Sequence, residues 1–230
     1  MPNDIIMIRH AQSTWNAQSK FTGWADPPLT TLGESEAERA AATLGRAGYV
    51  FDVVYTSVLQ RAQKTADIIL DELQLNDIPV HSDWRLNERH YGGLQGLDKV
   101  AMAKDVGEKQ VLRWRRGFLD MPPALEAEDE RHPRFDARYQ HIPSEKLPSR
   151  ENLLDTQNRA KSFWQDRIPS HLAAGDKVLI SSHGNTLRAL IMFLSGMSEK
   201  EVETFEIPTG VPIVYRFDKN GQPESWHYLD

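Results

Sequence analysis

The chain has 230 residues, a net charge of −6 and no cysteine. The charge leaves no global basic field for nucleic acid, and the absent thiols exclude a disulfide framework, a thiolate zinc site and a cysteine nucleophile. With 40% hydrophobic and 26% charged residues the composition suits a globular chain with a sizeable core, and an anionic small molecule can bind only where local Arg and His outweigh the total charge.

At the N-terminus, Met1-Pro2-Asn3-Asp4 shows neither a basic region nor a long apolar stretch, and no apolar run approaches the ~20 residues needed to span a bilayer. The expectation is a cytoplasmic protein with no membrane or nucleic-acid partner. Asp4 to Ile8 is a short apolar run that reads as a buried strand, and Arg9 to Asn16 turns polar. Phe21 to Pro28 is a loop punctuated by Gly and Pro. Thr31-Leu32-Gly33-Glu34 fits a capping box, with Ala37, Ala41 and Leu44 at helical spacing behind it and Gly48 as the stop. Phe51 to Tyr55 reads as a second strand, and Ala62, Ala66, Ile69, Leu70 and Leu73 mark one face of a second helix. Ile78 to His81 is a candidate third strand.

Residues 119–148 hold five of the thirteen prolines and read as an irregular excursion laid over the sheet. Val178 to Ser182 is another buried strand running into His183-Gly184-Asn185, and Leu187, Leu190, Ile191 and Leu194 mark a helix ended by Gly196. Pro212 to Phe217 reads as a late edge strand. Strands alternating with helices, without internal repeats, predict one α/β domain over 1–230. Its expected form is three-layered, a mostly parallel sheet flanked by helices.

His10 and His183 each stand where an apolar strand ends. Open α/β sheets bind ligands beyond the carboxyl ends of their strands, so two neighbouring strands would bring both imidazoles to one crevice. Either histidine alone would be an ordinary solvated loop residue. Two in matching positions, one preceded by Arg9 and one followed by Gly184-Asn185, point to a site. Arg61, Arg115 and Arg116 add guanidinium groups, which bind phosphate bidentately and stay charged. Glu88 beside Arg89 is either an ion pair or a general acid/base, and Gly92-Gly93 would let a ligand approach the backbone closely.

The motifs Ile8-Arg9-His10, Phe21-Thr22-Gly23-Trp24, Asn87-Glu88-Arg89-His90-Tyr91-Gly92-Gly93, Trp114-Arg115-Arg116-Gly117, His183-Gly184-Asn185 and Ile207-Pro208-Thr209-Gly210 resemble the 2,3-bisphosphoglycerate-dependent phosphoglycerate mutases of the histidine phosphatase superfamily. The resemblance runs from about residue 4 to residue 229. It implies interconversion of 3-phosphoglycerate and 2-phosphoglycerate, in glycolysis and gluconeogenesis, through a phosphohistidine enzyme. It also implies 2,3-bisphosphoglycerate as primer, no metal, and a homodimer or homotetramer. Carried over by position, His10 would be the nucleophile and Glu88 the proton donor and acceptor. Arg9, Arg61 and His183 would clamp the phosphoryl group. Ser13, Asn16, Thr22, Gly23, Arg89, Tyr91, Lys99, Arg115, Arg116, Gly184 and Asn185 would bind substrate. The excursion at 119–148 would lie over the active site and keep water from the phosphohistidine.

Two departures from the family pattern stand out. Ala11 and Gln12 replace the usual Gly and Glu after Arg-His, and a positive φ at residue 11 would strain alanine by about 1 kcal/mol. The sequence stops at Tyr228-Leu229-Asp230, without the Ala/Lys-rich tail of long-form relatives, which implies relatively more phosphatase activity. A phosphatase acting on other monoesters is the first alternative. Lys99, Arg115 and Arg116 speak against it, because a simple phosphatase needs no second anion pocket. A non-catalytic binding protein is the second, motivated by Ala11 alone.

Overall fold

A computed structural model describes residues 3–229; Met1 and Pro2, read above for a targeting signal, and Asp230 lie outside them. In chain order the elements are β1 (Asn3–Arg9), α1 (Thr14–Ala17), α2 (Thr31–Arg46), β2 (Val53–Thr56), α3 (Gln60–Glu72), β3 (Val80–Ser82), α4 (Lys99–Val106) and α5 (Glu108–Arg116). The second half adds α6 (Leu153–Ala174), β4 (Val178–Ser182), α7 (Gly184–Ser195), α8 (Glu199–Thr204), β5 (Pro212–Phe217) and β6 (Pro223–Tyr228). One six-stranded sheet has the order β3-β2-β4-β1-β5-β6. The strands β3, β2, β4 and β1 are parallel, and β5 and β6 are antiparallel.

The sheet is covered on both faces, which is why its central strands are apolar without alternation. Ile5, Met7, Val178 and Ile180 point to α6 and α7, where they meet Phe163, Ile168, Leu187, Leu190 and Ile191. Ile6, Ile8, Val54 and Leu179 point the other way, to Ala40, Ala41 and Leu44 of α2 and to Ala66, Ile69 and Leu70 of α3. The three-layer α/β fold expected from the sequence is the fold observed.

Several boundaries differ from the sequence reading. The cap of α2 is Thr30, whose hydroxyl accepts the Gly33 N–H, so Thr31 is inside the helix and the expected capping box does not form. β5 is not an edge strand. It lies between β1 and β6, and β6 forms the edge. The excursion contains only short 3₁₀ turns at Pro133–Phe135, Ala137–Tyr139 and Ser144–Lys146. Its Tyr139, Ile142 and Leu147 pack on Trp24, and Arg138 pairs with Asp26. Gly92 has φ +57, and a side chain there would meet the Pro123 carbonyl at 2.1 Å. The close approach at Gly92-Gly93 is therefore made by the excursion and not by a ligand.

Candidate active site

Strand register assembles the centre. β1 and β4 are parallel neighbours with Arg9 opposite Ser182, so the next residue on each chain, His10 and His183, emerges side by side. The His10 N–H donates to the Ser182 carbonyl at 2.9 Å, and the two imidazole centroids are 4.9 Å apart. Both rings are buried. β2, on the other side of β4, delivers Arg61 in the first turn of α3.

The hydrogen bonds define which nitrogen of His10 can react. Nδ1 lies 2.7 Å from the Ala11 carbonyl, an acceptor only, so Nδ1 carries the proton. Nε2 then holds the lone pair, and accepts from Arg61 Nε–H at 3.2 Å. Burial, followed by the positive charges of Arg61 and Arg9, pushes the His10 pKa well below its ordinary value. The ring is thus neutral at physiological pH, with its lone pair on Nε2, the form a nucleophilic imidazole requires. The other two arms of Arg61 donate to the carbonyls of Ala25, at 2.8 Å, and Gly23, at 2.9 Å, which fixes the loop that walls the site.

Buried donors without acceptors mark the ligand position. Such groups are costly unless a ligand satisfies them. Arg9 Nε and His183 Nδ1 are buried and have no hydrogen-bond partner among the described residues. The Ser57 hydroxyl, which already accepts the Leu59 N–H at 3.1 Å, lies 2.7 Å from His183 Nε2. Donating its proton there leaves the imidazole proton on Nδ1, a donor without an acceptor among the described residues. Gly184 lets the Arg9 guanidinium close on α7, since a Cβ would stand 3.3 Å from Arg9 Nε.

Glu88 lines the same cavity. Its Oε1 accepts the backbone N–H groups of Arg89 at 2.8 Å and Asn185 at 3.2 Å, leaving Oε2 without a partner among the described residues. The cavity measures about 190 Å³, small enough for a compact substrate, and is lined by Arg9, His10, Asn16, Thr22, Gly23, Arg61, Glu88, Tyr91, Lys99, Arg115, Arg116, Gly184, Asn185, Arg188, Glu206 and Ile207. A wider vestibule of about 820 Å³ adjoins it through Arg9, Asn16, Lys99 and Arg115 and is walled by α4 and α5.

Most residues expected at the site are brought together here; three are placed differently. His183 is fully buried, its ring edge-on to His10, and does not line the empty cavity. Ser13 caps α1, its hydroxyl bonded to Asn16. Arg89 is fully buried and donates to the carbonyls of Glu151, Gly117 and Asp120, so it anchors the end of α5. The excursion 119–148 contributes nothing to the lining and buttresses the Trp24 loop from outside. Sequence reasoning missed Ser57, Arg188 and Glu206. Arg188 lies one helical turn after Gly184, a spacing that could have flagged it; Ser57 stands in Tyr55-Thr56-Ser57-Val58, a stretch that shares the family resemblance, and Glu206 carried no such signal. Among the described residues no group of three or more His, Asp or Glu is placed to hold a metal ion, and no helix is long and apolar enough to cross a membrane.

The model of the histidine phosphatase superfamily (branch 1) matches residues 5–137 and 117–227. Among solved structures, YhfR of Bacillus stearothermophilus is similar at 22% identity and a TM-score of 0.72, over 96% of this chain and 94% of that one. A mycobacterial glucosyl-3-phosphoglycerate phosphatase is similar at 20% identity and 0.71, over 99% and 97%. The alpha-ribazole phosphatase of Shigella flexneri is similar at 24% identity and 0.67, over 96% and 94%. At these identities the likeness is one of fold.

Proposed function

The chain belongs to the histidine phosphatase superfamily, branch 1, and from that membership we propose that it is a phosphoglycerate mutase primed by 2,3-bisphosphoglycerate. Histidine-based phosphoryl transfer is common to the family. The finer reading rests on one observation, the cations Lys99, Arg115 and Arg116 in the same small cavity as His10. A phosphoryl group held by Arg9, Arg61 and His183 uses none of these three. They supply a second anion subsite, as a substrate with both phosphate and carboxylate requires.

The chemistry follows from the geometry. Phospho-His10 is attacked at phosphorus by the 2-hydroxyl of 3-phosphoglycerate. The Nε2–P bond breaks, Nε2 recovers its lone pair, and Glu88 Oε2 takes the hydroxyl proton. The resulting 2,3-bisphosphoglycerate turns over in the cavity. His10 Nε2 then attacks the 3-phosphate, the C3 oxygen leaves, and Glu88 returns the proton to it. Arg61 Nε, Arg9 Nε and His183 Nδ1 donate to the transferring oxygens, a role of positioning and charge stabilisation. A positioned acid/base of this kind supplies roughly 10²–10⁴-fold.

A second reading is a phosphatase for phosphorylated acids, favoured by the vestibule, which opens the cavity to water. A coupled mutase assay with 2,3-bisphosphoglycerate omitted and restored separates the two. Primer-dependent isomerisation supports the mutase; release of free phosphate without isomerisation rejects it. Labelled bisphosphoglycerate should phosphorylate the protein and not His10→Ala, and label on that variant would remove His10 from the nucleophile's role.

A further inference from the structure

The cavity that binds anions contains a second carboxylate besides Glu88. Glu206 lines it, and its Oε1 is bonded to Arg116 Nη2. Burial raises the Glu206 pKa, but Arg116, Arg188 and Arg9 outweigh it and hold the group below its ordinary value, so it is ionised at neutral pH. Arg115, the adjacent cation, has no ion-pair partner among the described residues. One of the two guanidinium groups at the second anion subsite is thus already neutralised from within.

The segment carrying Glu206 is fixed through its backbone, independently of the carboxylate. Arg116 Nη1 donates to the Phe205 carbonyl at 3.3 Å. Arg9 Nη1 donates to the Ile207 carbonyl at 2.8 Å. The Tyr228 hydroxyl of β6 donates to the Glu206 carbonyl. The Glu206 side chain itself is 70% exposed, whereas that of Arg116 is 18% exposed. The backbone is pinned to two cleft arginines, and the carboxylate is free to swing out to water.

We propose that Glu206 is a specificity-determining residue, an internal counter-anion that occupies Arg116 in the empty cleft and must yield to the second anionic group of a substrate. The inference rests on reading Lys99, Arg115 and Arg116 as that subsite. A ligand with only a phosphoryl group, seated against His10, leaves the Glu206–Arg116 pair intact. A phospho-carboxylate competes with it for Arg116 and meets the repulsion of an ionised carboxylate. Glu206 therefore weakens binding of doubly anionic ligands selectively, which also favours release of a bisphosphorylated intermediate or product.

The test compares competitors of p-nitrophenyl phosphate hydrolysis in wild type, Glu206→Gln and Glu206→Ala. Gln keeps the shape and removes the charge; Ala removes both. The inhibition constant of 3-phosphoglycerate should fall roughly twofold to fivefold in both variants, the range a partly exposed ion pair can supply. That of inorganic phosphate should shift less than twofold, and the selectivity should fade at high salt. A parallel fall for both competitors would make Glu206 part of a general field, and no fall for 3-phosphoglycerate would remove it from the subsite; either result overturns the proposal. The coupled mutase assay on wild type reads the parent proposal separately. A selective shift without isomerisation keeps Glu206 and rejects the mutase, and isomerisation without a shift does the reverse.

Discussion

Burial, followed by the like charges of Arg115 and Arg9, pulls the Lys99 ammonium down to about 8. Its charge therefore fades in the upper range of an ordinary assay, while the guanidinium groups around it persist. If Lys99 holds the second anion, kcat/KM for 3-phosphoglycerate falls as pH rises through about 8. Lys99→Arg should carry the plateau beyond pH 9, and an unchanged profile in that variant would assign the titration elsewhere. The residues that the sequence left least settled are resolved by geometry. Ala11 does not have positive φ, so no strain arises there. Its N–H donates to the Thr65 hydroxyl at 3.1 Å, and its carbonyl orients His10. Gln12 is turned away from the cavity, its N–H on Glu36 and its Oε1 accepting from Thr30. Neither fact was legible from residue type, because φ and side-chain direction at a strand-end loop are set by α2 and α3 packing against it.

Elements were legible in proportion to their burial. β1 and β4 are apolar runs because both faces of the sheet are covered, and their parallel pairing makes the His10–His183 crevice a consequence of register. The sequence reading assigned no helix over α4, α5, α6 or α8 and no strand over β6. β6 is polar and largely exposed, so it lacks the alternation of a half-buried strand. α6 has its apolar residues at helical spacing, but Pro169 interrupts the pattern. This helix also carries one partner of the most deeply buried ion pair among the described residues. Arg159 Nε and Nη2 each lie 2.8 Å from an oxygen of Glu151, with both side chains only 5% exposed. The remaining donors of Arg159 reach the carbonyls of Arg85, Asn87 and Glu88, and the Glu151 carboxylate accepts the His90 N–H. The segment bearing Glu88, the proposed acid/base, is thus bolted to α6. Arg159→Met should cost ~3–5 kcal/mol, because it strands a buried carboxylate. The loss appears as a lower urea midpoint, together with a lower kcat as Glu88 loosens. Adding Glu151→Leu should recover part of the stability without restoring kcat; full recovery of both would show that the pair only fills space.

The molecule as a whole carries a charge of −6, yet its cleft gathers Arg9, Arg61, Lys99, Arg115, Arg116 and Arg188. Focusing cations in a partly enclosed cavity reverses the local field, so a negative total charge is compatible with a small-anion site. Building that centre also leaves buried imidazoles that the fold keeps neutral. Burial pushes His10 and His183 well below their ordinary pKa, and takes His90 down to about 4. His90 Nδ1 accepts the Gly92 N–H at 3.0 Å, so a second proton there would face a donor, and Nε2, which carries the first, is buried without a partner among the described residues. An unfolded histidine titrates near 6.5. Between that value and about 4 the unfolded chain takes up a proton at residue 90 that the folded chain refuses. Stability is therefore held above pH 6.5 and lost as pH falls through this window. For His90 alone the loss between pH 7 and pH 5 is about 2 kcal/mol, and His10 and His183 add to it with the same sign. His90→Asn retains an acceptor for the Gly92 N–H. It should lower stability at pH 7 through lost packing, yet shrink the difference between urea unfolding energies at pH 7 and pH 5 by that amount. An equally steep dependence in His90→Asn would mean that the acid sensitivity of the fold resides in His10 and His183, and the same comparison in His10→Asn would then show it.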